Sequence, residues 1–267
     1  MDKAKQAIGI FDSGAGGLTV ASAVRNILPE EKIIYFGDTA HLPYGDKSNE
    51  NIQKYALRIS DFLLKKECKV ILIACNTASA AAYEKVKEHV GNRIPVLNVI
   101  DPAAKYVAQV EEIQTIGIIG TKATIRSNSY SQKIKALNER KTVVSLPTPL
   151  FAPMIEEGFV YDDISNAVIR KYLSDPILKD IDSLVLGCTH YPIIKNQIRK
   201  FYEFETMVID ASLIVAKKLR ELLKEENLLN NLQNPAHEFF VSDYTESFKK
   251  MAEMFFDTRI ELQQIDL

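Results

Sequence analysis

Cysteine is scarce in this sequence, with only Cys68, Cys75 and Cys188 among 267 residues. An odd number of widely spaced cysteines excludes a disulfide framework as the basis of the fold. Free thiols suit a reducing compartment, so the question is which of the three are packed and which react. Glycine and proline are also few, at 11 and 10, which leaves little room for long disordered tracts. No apolar run approaches the roughly 20 residues that span a bilayer. The polar start Met1-Asp2-Lys3-Ala4-Lys5-Gln6 lacks the apolar middle of a signal peptide, and a cytoplasmic location is expected. A dominant charge is missing too. The formal net charge is −2, and the densest basic groups (Lys65-Lys66, Arg199-Lys200, Lys217-Lys218) have the pattern of solvated helix faces. That removes the electrostatic case for nucleic-acid binding.

What is present is alternation. Short apolar runs predict strands over Ala7–Phe11, Lys32–Phe36, Lys69–Ala74, Val96–Val99, Thr115–Gly120, Thr142–Leu146, Ser183–Gly187 and Thr206–Ile209. Helix-period stretches lie between them, among them Asn49–Lys66, Thr77–Val90, Ser127–Glu139, Asp162–Leu173 and Ser212–Lys224. Strands alternating with helices imply an α/β fold of parallel sheets and crossover helices. A long-range echo accompanies the alternation. Ile8-Gly9-Ile10-Phe11 is echoed by Ile116-Gly117-Ile118-Ile119, and Ile71-Leu72-Ile73-Ala74-Cys75 by Leu184-Val185-Leu186-Gly187-Cys188. Two related half-molecules would produce it, with the boundary near Asn98–Pro102. The strand at Thr206–Ile209 could belong to either half. Asn227–Pro235 reads as a loop before a final strand–helix–strand piece.

Cys75 and Cys188 each close an apolar strand and precede a helical pattern, with Pro192 suited to a first helical position. Carboxyl ends of strands are where ligands bind in open α/β sheets. A thiol there is expected to face a helix N-terminus, whose partial positive charge favours the thiolate. Cys68, in Lys66-Glu67-Cys68-Lys69, has no polar neighbours of that kind and reads as structural. Phe11-Asp12-Ser13-Gly14-Ala15-Gly16-Gly17 is a strand end running into a glycine-rich turn and a helix, suited to an anion. It lacks the GK[ST] of a phosphate loop and the dinucleotide glycine spacing. Asp12 is either a charged partner for a nearby base or a plain capping residue. The loop Gly37–Gly45 is richer in polar and aromatic groups than a connector requires, and His41 within it reads as a loop hydrogen-bonder. A zinc site on Cys75, Cys188 and His190 lacks paired cysteine spacing and a convincing further ligand. A Cys–His–Asp hydrolase leaves one of the two thiols without a purpose.

Four blocks carry a resemblance. Ile8–Gly17, Tyr35–Gly45, Ala74–Ser79 and Gly187–Pro192 resemble, in order and spacing, the signatures of the glutamate racemases, and the likeness runs along essentially the whole chain. The resemblance implies two pseudo-symmetric doubly wound α/β domains with mainly parallel sheets and the site in the cleft between them. Residues 1–98 plus 207–267 would form a discontinuous N-terminal domain and 99–206 the second. It further implies reversible conversion of L- and D-glutamate without pyridoxal phosphate or metal, supplying peptidoglycan synthesis, by a cytoplasmic homodimer with no nucleic-acid or membrane partner.

By the same resemblance Cys75 takes the α-proton from D-glutamate and Cys188 from the L-enantiomer. Asp12 is the acidic partner near the first thiol, His190 the partner near the second, and Glu156 a further acidic residue. Nothing in the residues themselves selects Glu156 over Glu157. Asp12, Ser13, Tyr44, Gly45, Asn76, Thr77, Thr121, Thr189 and His190 match substrate-binding positions. One departure is visible: many relatives carry Cys-Pro where this chain has Thr148-Pro149. Aspartate or hydantoin racemisation and decarboxylation are the alternatives within the fold, although such decarboxylases typically use one thiol. A role in binding DNA gyrase goes with additional N-terminal sequence, whereas the first strand here is expected by about Ala7.

Overall fold

The computed structural model describes residues 3–233, 235–256 and 259–267. The chain folds as two compact units, one running up to Val99 and resuming over Ser212–Leu267, the other Ile100–Ala211. The strands are β1 (Ile8–Asp12), β2 (Ile33–Gly37), β3 (Val70–Ile73), β4 (Val96–Asn98), β5 (Thr115–Gly120), β6 (Thr142–Pro147), β7 (Ser183–Gly187), β8 (Met207–Ile209), β9 (Glu238–Val241) and β10 (Leu262–Gln264). All eight strands expected from the apolar runs form, each within a residue of its expected ends. The α/β class with parallel sheets follows from that alternation.

The first unit holds a six-stranded sheet in the order β10-β9-β2-β1-β3-β4, the second a four-stranded sheet in the order β6-β5-β7-β8. Every neighbouring pair is parallel. Strands β1, β2 and β3 are buried at every position, as expected where helices cover both faces of a parallel sheet. That is why β3 reads as the unbroken apolar run Val70-Ile71-Leu72-Ile73. The final strand–helix–strand piece is β9, the helix Glu246–Phe256 and β10, and it extends the first sheet from the edge of β2. The loop expected over residues 227–235 includes Asn234, which lies outside the described residues.

The expected boundaries shift in two places, by the single residue Val99, which belongs to the first unit, and by five residues at the other junction. Residues 207–211, assigned from the sequence to the N-terminal domain, belong to the second unit, because β8 pairs with β7 through Leu184–Val208 and its neighbours. A three-residue strand is placed by its ladder partner, which its own residues do not name. Near the other boundary, Asp101-Pro102 lies within the first turn of the helix Ile100–Gln109, where proline's missing N–H costs nothing.

Both sheets share one connectivity around their centres. From β1 the chain goes outward to β2 and then crosses to β3 on the other side; β5, β6 and β7 repeat the move. Each unit therefore has a switch point, β1/β3 in the first and β5/β7 in the second. The sequence echo falls on these four strands in the same register: Phe11 pairs with Ile73, and its counterpart Ile119 pairs with Leu186. At the amino-terminal ends of β2 and β3, away from the switch point, the wholly buried Lys69 ammonium lies 2.5 Å from Glu31. It also donates to the carbonyls of Ala4 and Leu228.

Candidate active site

Asp12 closes β1 with no exposed surface. Its Oδ2 accepts the N–H groups of Gly14 and Gly17, both at 3.0 Å, so the carboxylate ties down the glycine-rich turn. Tyr35, fully buried on β2, donates its hydroxyl to the Gly14 carbonyl at 2.7 Å. Burial, then the nearby Asp12 and Cys75, hold that phenol well above its ordinary pKa and hence neutral. Gly17 is required by close approach. A Cβ there would sit 2.4 Å from Asp12 Cβ and 2.7 Å from Tyr35 Oη. Gly17→Ala is therefore expected to cost about 1–3 kcal/mol by overpacking, measured as a lower denaturation midpoint.

Cys75 follows β3 and caps the helix Asn76–Val90: its Sγ accepts the Ala78 N–H at 3.4 Å. The thiol donates to Ser13 Oγ at 3.6 Å. A sulfur at this position faces the positive end of a 15-residue helix, which favours negative charge there. Asn76 and Thr77 are buried beside it. The loop after β2 brings a further aromatic side chain inward. Tyr44 is buried and donates to Asp38 Oδ2 at 2.5 Å, while His41 Nδ1 contacts Asp38 Oδ1 at 2.8 Å. Gly45 shares a tight 3-10 turn with Tyr44. His41 also stacks on Tyr55, with ring centroids 3.9 Å apart, so its contacts are those of a loop residue. Asp38, which no motif argument singled out, is the group that fixes Tyr44; only its place in an unusually polar loop hinted at this.

The second unit repeats the thiol and changes its surroundings. Cys188 follows β7 and is buried, but no α-helix N-terminus faces it as expected. The chain first takes a 3-10 turn, Tyr191–Ile194 with Pro192 in its first two positions, and the α-helix begins only at Lys195. Cys188 is paired instead with an imidazole. His190 Nδ1 lies 3.7 Å from its Sγ. On the other side, His190 Nε2 lies 2.9 Å from Glu156 Oε1, a charge contact off the line of a hydrogen bond. Burial alone pulls the His190 pKa down. The interactions with Cys188 and Glu156 outweigh it and hold the ring well above its ordinary value. Glu156 ends the helix Phe151–Glu156 and is half-buried; Glu157 is exposed. Thr121 stands after β5 where Ser13 stands after β1, its Oγ1 capping a short helix through Thr124 N–H at 3.2 Å. Thr189 is buried next to Cys188.

Each unit thus brings its expected residues to one switch point: Asp12, Ser13, Tyr44, Gly45, Cys75, Asn76 and Thr77 in the first, and Thr121, Glu156, Cys188, Thr189 and His190 in the second. Cys68 lies elsewhere. It is buried near Gly9 and Leu63, and burial pushes its thiol up to about 12. Among the described residues no group of three or more His, Cys, Asp and Glu is arranged to hold a metal ion. Nor is any described helix long and apolar enough to cross a membrane.

Fold and site together define a two-unit parallel α/β protein with a buried thiol at the switch point of each sheet. The sequence profile of the Asp/Glu/Hydantoin racemase family matches residues 18–219. A glutamate racemase of Geobacter metallireducens is 40% identical over 98% of this chain and 97% of its own length. One of Chlorobaculum tepidum is 44% identical over 97% and 95%. The crystal structure of glutamate racemase from Francisella tularensis in complex with D-glutamate superposes with a TM-score of 0.92 at 45% identity, covering 98% of both chains. The chain belongs to the glutamate racemases, isomerases of the Asp/Glu/Hydantoin racemase family.

Proposed function

We propose that this protein interconverts L- and D-glutamate by moving the Cα proton between Cys75 and Cys188, without pyridoxal phosphate or a metal ion. The observation that carries the reading is the matched pair of buried thiols, each with its own polar partner: a helix N-terminus beside Cys75 and the His190 imidazole beside Cys188. Racemisation removes a proton from one face of Cα and returns one to the other, so two acid–base groups are needed. Thiols suit the task, since their ordinary pKa of about 8.5 lets either serve as base or acid near neutral pH.

In the D-to-L direction the Cys75 thiolate takes the Cα proton, and the electron pair is delocalised into the α-carboxylate. The Cys188 thiol then delivers a proton to the opposite face. Cys75 ends as thiol and Cys188 as thiolate, and the L-to-D direction runs the same steps backwards. Backbone and side-chain donors at Ser13, Tyr44, Gly45, Asn76, Thr77, Thr121 and Thr189 hold the substrate's charged groups and stabilise the growing negative charge. Asp12 keeps the glycine-rich turn in place beside Cys75, and Glu156 holds His190 in place beside Cys188. The Francisella relative's complex with D-glutamate supports the choice of substrate. The product would feed peptidoglycan synthesis in the cytoplasm, and the working form would be a homodimer.

Incubation of the purified protein with D-glutamate in deuterated water tests the reading. Decay of the circular dichroism signal with one deuterium appearing at Cα is expected. Decay with aspartate and none with glutamate would replace the substrate; no exchange with either would overturn the activity.

A further inference from the structure

Tyr191 and Thr148, both without exposed surface, meet beside the turn that carries Cys188 and His190. Their hydroxyl oxygens are 2.8 Å apart, and the Tyr191 hydroxyl donates to the Thr148 carbonyl at 3.0 Å. Each hydroxyl has one proton to give. With Tyr191 donating to the carbonyl, the Thr148 hydroxyl has two acceptors within reach, the tyrosine oxygen and the Gly120 carbonyl at 3.4 Å, and both hydroxyls are satisfied inside the core. The Thr148 N–H is bonded to the Gly120 carbonyl at the end of β5, at 2.9 Å.

Two arms leave this junction. In one, Tyr191 directly follows His190, and its N–H donates to the Cys188 carbonyl at 3.2 Å. In the other, the Thr148 carbonyl accepts the Phe151 N–H at 3.2 Å, at the start of the helix that ends in Glu156. The Phe151 ring meets the Tyr191 ring edge-on, with centroids 5.2 Å apart. The contact between His190 and Glu156 is therefore the meeting of two arms rooted in one hydroxyl pair.

We propose that Tyr191 is a positioning residue for the second proton-transfer site, holding the His190 turn and the Glu156 helix in register through Thr148. Its loss slows proton transfer at Cys188 and leaves transfer at Cys75 alone. The inference rests on Cys188 being a proton carrier. Rate alone does not locate the effect, because the two directions share one equilibrium constant and kcat/KM falls equally in both. Substrate isotope effects do locate it.

Tyr191→Phe is expected to lower kcat/KM about tenfold, the equivalent of one net hydrogen bond. The primary isotope effect on kcat/KM should rise with L-[2-2H]glutamate, where Cys188 breaks the Cα bond, and fall with D-[2-2H]glutamate. Thr148→Val should reproduce the pattern and Thr148→Ser should restore the unaltered one; this pair carries the test should Tyr191→Phe not fold. Isotope effects unchanged in both directions, or full activity in Tyr191→Phe, would overturn the proposal. Cys188→Ala measured alongside separates the two readings. If it is inactive while the isotope pattern stays flat, only the positioning role falls; if it turns over normally, the two-thiol scheme falls as well.

Discussion

Replacing Cys75 or Cys188 with alanine is expected to lower glutamate racemisation by roughly 10^4-fold, the upper end of what a positioned acid or base contributes. Neither thiol can substitute for the other, since a base on one face of Cα cannot deliver a proton to the other face. Overall turnover should be lost in both directions for either variant. Cys68→Ala is the matched control. Its sulfur only fills space, near Gly9 and Leu63, so it should lose some stability through the cavity left behind and keep near-normal activity. Steady-state circular dichroism with each glutamate enantiomer reads the activities, and thermal denaturation shows that the variants remain folded. Normal turnover by Cys75→Ala or Cys188→Ala would end the two-base scheme.

His190→Asn should reduce kcat about 10^2–10^3-fold, because a thiolate at Cys188 would then be buried with no cation beside it. The pH dependence of stability gives a second reading. His190's folded-state pKa is raised above its ordinary value of 6.5. The charged ring therefore contributes stability that is fully present below the unfolded-state pKa and is lost as pH rises through the folded-state one. The melting-temperature advantage of the unaltered protein over His190→Asn should be greatest below about pH 6.5 and shrink at higher pH. An advantage that grew with pH would mean the ring is neutral in the folded protein.

The glycine-rich turn shows how the two lines of reasoning divide. Its glycine content marks a tight strand-to-helix connection, but two meanings of Asp12 were open, capping and chemistry. The bonds to Gly14 and Gly17 show that the carboxylate does cap the turn, at the same switch point as Cys75. The pair Glu156 and Glu157 divides more sharply. Adjacent glutamates at a helix end are chemically identical, and only the approach of His190 distinguishes them. Cys188 was expected to resemble Cys75 in facing an α-helix, because the strand–Cys–polar pattern is the same in both. Four residues of 3-10 turn and an imidazole take that place, since helix type is decided by a few backbone hydrogen bonds that periodicity does not resolve.

By itself, the sequence determined the strands, the parallel α/β class and the internal echo, because burial on both faces of a parallel sheet writes unbroken apolar runs into the chain. It also singled out Cys75 and Cys188, since both end such runs and the ends of central strands are where a doubly wound sheet leaves room for chemistry. The tertiary structure alone decided that β8 joins the second sheet and that Lys69 pairs with Glu31. It also decided that Asp38 fixes Tyr44 and that Tyr191 meets Thr148. Most of these contacts link residues far apart along the chain, and hydrogen bonds and ion pairs of this kind leave no period in the sequence to read.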